Sequence, residues 1–162
     1  MREILFRAKR IDNREWVEGF YTQLPKPSLG ATIIANGDLC AEDVGDYIIM
    51  NRSKQHSNFS NAYPLEIIEC EYYEINPETL CQYTGLKDKN GNRIWENDIV
   101  RIENSMDEGI GNIEFYGGMW YVDEEPSNSL YDIVEYDDGE LEVIGNIFDT
   151  PELLKGGLTC RN

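Results

Sequence analysis

The sequence predicts a mainly β protein whose C-terminal half is a small antiparallel barrel. The first observation is a series of three dipeptides that favour tight turns, Asn90-Gly91, Gly117-Gly118 and Asp138-Gly139. Each tolerates positive φ and separates two runs rich in β-branched and aromatic residues, as a hairpin turn does. The second observation is that few stretches have helical periodicity. Three such hairpins describe a meander, which at this size usually closes on itself to remove its edges.

The N-terminal segment is predicted to be a β-hairpin followed by loop-rich structure. Alternating residues from Ile4 to Lys9 form the first strand, and the run from Trp16 to Tyr21 forms the second. The range 23–60 is rich in Pro, Gly and polar residues, which predicts irregular structure with one or two short strands, at the apolar runs 32–35 and 47–50. A further strand is predicted over 65–75.

Only short helical turns are predicted. Asn76 can cap a turn that begins at Pro77, and Thr150 can cap one that begins at Pro151, because proline suits the first helical position. We expect three parts: the hairpin and loop-rich segment over residues 1–75, the barrel over 76–155, and a flexible tail over 156–162.

The net charge of −17 is concentrated in one stretch of the chain. Residues 1–20 carry five basic and four acidic side chains, net +1, and residues 21–95 carry six basic and ten acidic, net −4. Residues 96–154 carry one basic and 17 acidic side chains, net −16, and residues 155–162 add +2. Such a surface repels phosphates and anionic membranes, so general nucleic-acid binding is disfavoured.

The sequence contains no signal peptide and no apolar run long enough to span a membrane. The four cysteines have no CxxC spacing, and a chain of this length can bury a core without disulfides. We therefore expect a cytoplasmic protein with free thiols, although an even number of cysteines leaves disulfides possible.

No catalytic, cofactor-binding or metal-binding residues are predicted. The single histidine, His56, lies in a polar run, and there is no GxSxG motif to supply a nucleophile. The cysteines are too widely spaced for zinc, and no glycine-rich phosphate loop is present. Aligning Gly91 or Gly139 with the glycine of an EF-hand loop puts Leu86 or Val134 at the first ligand position. Clustered acidic residues at 123–125 and 137–140 leave weak binding of a divalent ion open.

The aromatic residues of the C-terminal half predict an interaction surface. They exceed what the interior of one small barrel needs, and strand alternation sends some of them outward. Their surroundings are acidic, which favours a protein partner over nucleic acid. A corollary is that the basic N-terminal hairpin of one chain meets the acidic half of another. The candidate interface residues are Arg7, Lys9, Tyr116, Trp120, Tyr131 and Tyr136.

Three separated blocks resemble the YopX family, which is found in bacteriophages and prophages. They are Met1–Ala8, the block QYTGLKDKNGNRIWENDIV from Gln82 to Val100, and VIGNIFDTPELL from Val143 to Leu154. The resemblance implies a phage-derived cytoplasmic protein with an SH3-like barrel in its C-terminal part and a tendency to form oligomers. It implies no reaction, because the family's function is uncharacterised. Asn97 stands where the family commonly has glycine, and asparagine is a residue that tolerates a left-handed turn.

These observations lead to three functional hypotheses. The first is a non-enzymatic module that assembles with itself or binds a host or phage protein, without a cofactor. The alternative is an acidic mimic of DNA that inhibits a host nuclease or DNA-binding protein. The third is an enzyme, which would require a deep pocket with two close carboxylates or a bound metal.

Overall fold

The computed structural model describes residues 4–26, 44–54, 67–103, 108–123, 128–136 and 140–156. It confirms a mainly β protein and divides into two compact units, Leu5–Leu80 and a second that begins at Cys81. The strands of the first unit are β1 (Phe6–Lys9), β2 (Trp16–Pro25), β3 (Val44–Lys54) and β4 (Ile67–Glu74). The elements of the second unit are β5 (Cys81–Lys87), β6 (Arg93–Trp95), β7 (Asp98–Glu103), β8 (Glu108–Tyr116), β9 (Met119–Asp123), β10 (Asn128–Ser129), α1 (Leu130–Tyr136) and β11 (Glu140–Asn146).

The first unit is built on an antiparallel sheet in which the strands lie in the order β4-β3-β2-β1. The pairing of β1 with β2 confirms the predicted N-terminal hairpin. Alternation sends Ala8 and Ile48 to the same side of the sheet, where they are fully buried and join Ile75 in a small core.

Part of the predicted loop-rich range is regular strand. β2 continues to Pro25, and β3 covers Val44–Lys54, so the short strand predicted at 47–50 is longer than expected. β3 pairs with β2 on one side and with β4 on the other, and these non-local hydrogen bonds extend a strand beyond its apolar centre. The strand predicted at 32–35 lies outside the described residues.

The second unit contains a five-stranded antiparallel sheet in the order β10-β9-β8-β7-β11. Two predicted hairpins are confirmed: β5 pairs with β6 around Asn90-Gly91, and β8 pairs with β9 around Gly117-Gly118. Gly117 and Gly118 have φ values of 60° and 90°, and positive φ at both central residues is the mark of a type I′ turn.

The third predicted hairpin is wrong. The strand predicted over Ile133–Tyr136 is part of helix α1, and β11 pairs with β7 instead. Leu130 and Ile133 are buried in the core of this unit and Val134 packs against it, which is the three-and-four spacing of a helix face. The sheet order leaves β10 and β11 as its two edges, so the closed SH3-like barrel is not confirmed.

Both predicted helical turns are present as 3-10 helices. The side chain of Asn76 accepts a hydrogen bond from the Glu78 amide at 3.1 Å and caps the turn Pro77–Thr79, as expected. The second turn spans Pro151–Gly156. Its Thr150 hydroxyl instead bonds to the backbone of Asn146, at 3.2 Å from both the amide and the carbonyl.

Candidate functional site

The end of the β8–β9 hairpin carries three large exposed side chains. Phe115, Tyr116 and Met119 flank the Gly117-Gly118 turn and are 55%, 78% and 50% exposed. In the strand register Tyr116 lies opposite Met119 and Phe115 lies opposite Trp120, so strand alternation places Tyr116 and Met119 on one face of the hairpin and Phe115 on the other.

A fourth exposed side chain, Tyr131, stands in the first turn of α1. Leu130 and Ile133 anchor the helix in the core, while Tyr131 remains 51% exposed. We call Phe115, Tyr116, Met119 and Tyr131, which surround the end of the hairpin on both of its faces, the aromatic patch, and of these Met119 and Tyr131 line a common groove. Exposed apolar side chains are common singly, but a group of four at a hairpin end and an adjacent helix marks a candidate interaction surface.

A groove of about 320 Å³ lies beside the patch. Met119 and Tyr131 belong to the patch and also line the groove, with Leu86 and Trp120 as further apolar walls. Thr84 and Gly85 lie on β5 at an irregularity in its pairing with β6, where Gly85 adopts a φ of 89°. The Thr84 hydroxyl donates to the Ile94 carbonyl at 2.8 Å and accepts from the Leu86 amide at 3.1 Å, which holds this bulge in place.

Trp120 is a core residue as well as a wall of the groove. Its ring is 8% exposed and packs in the core of the second unit, with the Phe115 ring centroid 4.8 Å away. Its indole Nε1 is buried and has no hydrogen-bond partner among the described residues. An unpaired buried donor costs about 1–3 kcal/mol, so this atom is a place where a ligand can recover energy.

The predicted interface residues fall in both units. Tyr116 and Tyr131 are exposed in the aromatic patch and Trp120 lies beneath it, whereas the side chain of Tyr136 lies outside the described residues. Arg7 and Lys9 belong to the Leu5–Leu80 unit. They are half-buried, with the Arg7 guanidinium 4.7 Å and the Lys9 ammonium 5.3 Å from the ring centroid of Trp16.

The central sequence block folds around the buried carboxylate of Asp88. It accepts hydrogen bonds from the amides of Asn90 at 2.9 Å, Asn92 at 2.8 Å and Val143 at 3.2 Å, and from the side chain of Asn92 at 3.1 Å. Burial acts to raise the pKa of Asp88, but these hydrogen bonds outweigh it and lower the pKa below its usual value. Asp88 therefore has a structural role.

Asn97 adopts the left-handed conformation that the sequence predicts, with a φ of 64°. Its carbonyl accepts a hydrogen bond from the Ile147 amide at 3.1 Å, and its own amide donates to the Ile113 carbonyl at 2.9 Å. The residue thus joins the turn before β7 to the segment that follows β11.

The closing sequence block is a second structural turn. Asn146 Oδ1 accepts hydrogen bonds from the amides of Phe148 and Asp149, both at 2.9 Å. A Cβ atom on Gly145 would clash with the Thr150 hydroxyl oxygen, so glycine is the residue that fits there. This block supplies no site for chemistry.

Sequence reasoning missed Phe115 and Met119 in the patch and Asp88 in the turn. The two-residue turn at Gly117-Gly118 was the available signal for the first pair, because it places Met119 opposite Tyr116 and Phe115 opposite Trp120. For Asp88, the signal was an aspartate two residues before Asn90-Gly91, since aspartate side chains bond to nearby backbone amides in turns.

Within the described ranges, no three His, Cys, Asp or Glu side chains lie close enough to hold a metal ion together. Cys81 is buried and forms no disulfide. No helix in the part of the chain that the structure describes has the length and apolar character of a membrane span. His56 and most of the two acidic clusters, at 124–125 and 137–139, lie outside it.

These features define a mainly β protein of two antiparallel units with an aromatic surface on the second. The chain belongs to the YopX protein family, whose model matches residues 5–155.

The fold is similar to that in the crystal structure of protein EF1440 from Enterococcus faecalis. The TM-score is 0.55 at 23% sequence identity, and the match covers 95% of this chain and 99% of the other. At this identity the likeness shows the fold alone. None of the curated proteins matches the chain.

Proposed function

We propose that this YopX protein is a non-enzymatic module that binds another protein through the aromatic patch, either a second copy of itself or a host or phage protein. The observation that carries the proposal is that four large apolar side chains, each at least half exposed, surround one hairpin end and the start of α1, and that two of them, Met119 and Tyr131, line a groove together with the buried Trp120. Aromatic residues and methionine are enriched in protein interfaces relative to the rest of the surface.

The exposed area of the patch limits the binding free energy that it can contribute. Large side chains bury about 150–250 Å² each, so the exposed halves of four of them amount to roughly 400 Å². At about 25 cal/mol per Å², covering this area is worth about 10 kcal/mol, before the cost of association of about 4–15 kcal/mol. The patch is therefore an anchor, and a stable complex needs further contacts around it.

The proposal has three further parts, which the resemblance to the YopX family supports. They are a phage origin, a cytoplasmic location and an SH3-like fold of the second unit. The net charge of −16 over residues 96–154 favours a partner with a basic surface.

The test replaces two patch residues with charged ones, Met119→Glu together with Tyr131→Glu. A matched control is Tyr72→Glu, because Tyr72 is 62% exposed but lies on β4 in the first unit. Light scattering reports self-association, and capture from a bacterial lysate followed by mass spectrometry reports other partners.

We expect the patch variant to lose the association or the captured protein, and Tyr72→Glu to keep it. Equal association or capture by all three proteins would overturn the proposal. Capture of DNA-binding proteins that duplex DNA competes away, unaffected by the patch substitutions, would favour the acidic DNA mimic instead.

A further inference from the structure

The groove beside the aromatic patch offers two different kinds of contact to a ligand. Leu86, Met119 and Tyr131 provide apolar walls around about 320 Å³, a space that suits an aliphatic or aromatic side chain. Trp120 provides an indole N–H with no hydrogen-bond partner in the described part of the chain. A donor of this kind is matched by an acceptor such as a main-chain carbonyl.

The charge around the groove points to a cationic ligand. Asp132, an exposed residue, follows the groove-lining Tyr131 in α1. The surrounding stretch, residues 96–154, contains 17 acidic side chains and the single base Arg101. Opposite charges at the rim of an interface steer a partner and select against acidic competitors.

We propose that the groove binds a linear peptide segment of a partner protein, in which an apolar side chain is flanked by Lys or Arg. The apolar side chain enters the groove, a main-chain carbonyl of the segment accepts the hydrogen bond from Trp120 Nε1, and the basic residues face Asp132 and the acidic surface around it. Because Nε1 is buried in the free protein, the atoms that cover it must move aside for the segment to reach it. This inference rests on the proposed function and names the chemistry of the partner.

The probe is a displayed library of random linear peptides, selected against the full chain and then against the variant with Met119→Glu and Tyr131→Glu. We expect the peptides that prefer the unaltered chain to share an apolar residue with basic neighbours. Their binding should weaken as salt is raised, because the contacts at the rim are screened. Selected peptides that are acidic or uncharged, or a selection that yields none, would overturn the inference.

The proposed hydrogen bond from Trp120 Nε1 is tested separately, by NMR and by substitution. The three tryptophans give three indole N–H signals in a ¹H–¹⁵N NMR spectrum. We expect a selected peptide to shift the Trp120 signal as the new hydrogen bond forms. Trp120→Phe, which keeps an aromatic ring but removes the donor, should weaken binding by about fivefold to tenfold. Trp16→Phe, in the first unit, is the matched control and should leave binding unchanged.

An unmoved Trp120 signal, or equal affinity of Trp120→Phe and Trp16→Phe, would overturn the inference even if peptides bind. Urea unfolding of Trp120→Phe checks that the variant is folded. If the patch captures a partner that has no basic linear segment, the proposed function stands and this inference fails. If the patch substitutions leave all association intact, the proposed function fails as well.

Discussion

The Oδ2 atom of Asp88 accepts a hydrogen bond from the backbone amide of Val143, at 3.2 Å and across 55 residues of sequence. Two neighbouring contacts reinforce it: the Lys89 amide donates to the Leu141 carbonyl at 3.0 Å, and the Lys89 ammonium lies 3.7 Å from the Glu142 carboxylate. A turn near the centre of the sequence thereby holds the last strand of the second unit.

Asp88→Asn should destabilise the protein by about 1–3 kcal/mol, because an amide has one acceptor oxygen and places an NH₂ group where the carboxylate meets only donors. Urea unfolding at neutral pH measures the change. Asp132→Asn, at an exposed position of α1, is the control and should change stability by less than about 0.5 kcal/mol. An equal effect of the two substitutions would contradict the role assigned to Asp88.

The same carboxylate should make stability depend on pH. The pKa of Asp88 is lowered in the fold, so its contribution is fully present above the unfolded value of about 3.9 and is lost as the pH falls through the lower folded value. The difference in unfolding free energy between the unaltered protein and Asp88→Asn should therefore be largest above about pH 4 and shrink below it. If the difference in unfolding free energy between the two proteins instead grows as the pH falls, the predicted direction of the pH dependence is wrong.

Asn97→Gly should keep or raise stability, whereas Asn97→Ala should lower it by about 1–2 kcal/mol. The φ of 64° favours residues without a Cβ penalty, and alanine pays that penalty without the local hydrogen bonding of asparagine. The urea midpoints of the two variants test this prediction. A glycine variant less stable than the alanine variant would contradict the role given to the left-handed backbone at Asn97.

Gly145→Ala should cost more stability than Gly91→Ala. The new Cβ would clash with the Thr150 hydroxyl oxygen at position 145, but would meet nothing within 4 Å at position 91, where only the φ of 83° opposes it. We expect about 2–3 kcal/mol for Gly145→Ala, as for overpacking, and about 1 kcal/mol for Gly91→Ala. Thermal unfolding compares the two, and similar losses would exclude the steric explanation.

If the basic hairpin of one chain meets the acidic half of another, self-association should weaken at high salt. Light scattering at low and high ionic strength measures it, since contacts between exposed charges are screened over about 10 Å at 0.1 M salt. Lys9→Glu should reduce association at low salt, and Lys155→Glu, on an exposed residue near the end of the chain, serves as a charge-matched control. A monomer under both conditions would remove this arrangement.

The sequence predicts those parts of the structure that local chemistry decides. Gly117, Gly118 and Gly91 form turns because few other residues accept their positive φ values. Asn76 caps a helical turn because its side chain accepts a hydrogen bond from the Glu78 amide, and Pro77 suits the first position of that turn. The hairpin predicted at Asp138-Gly139 was wrong because the segment before it follows helical spacing from Leu130. A short apolar run fits the hydrophobic pattern of a strand as well as that of a helix.

Non-local contacts explain the remaining differences. The partner of β11 is β7, about 40 residues earlier, and no local signal marks that pairing. Alternation correctly shows that the residues of β9 face two sides, but it does not show which side is the core. Trp120 therefore lies buried beneath the patch, while its neighbour Met119 is half exposed.

The turn at Asp88 also limits the addition of a strand from another chain to the sheet of the second unit. A sheet can grow when an edge strand offers unpaired amides and carbonyls to a strand from another chain. On β11 the outward-facing carbonyl of Leu141 and amide of Val143 are already bonded to residues 89 and 88. Strand addition at that point would have to displace the turn first, so this border of the sheet resists the templated stacking from which fibrils form.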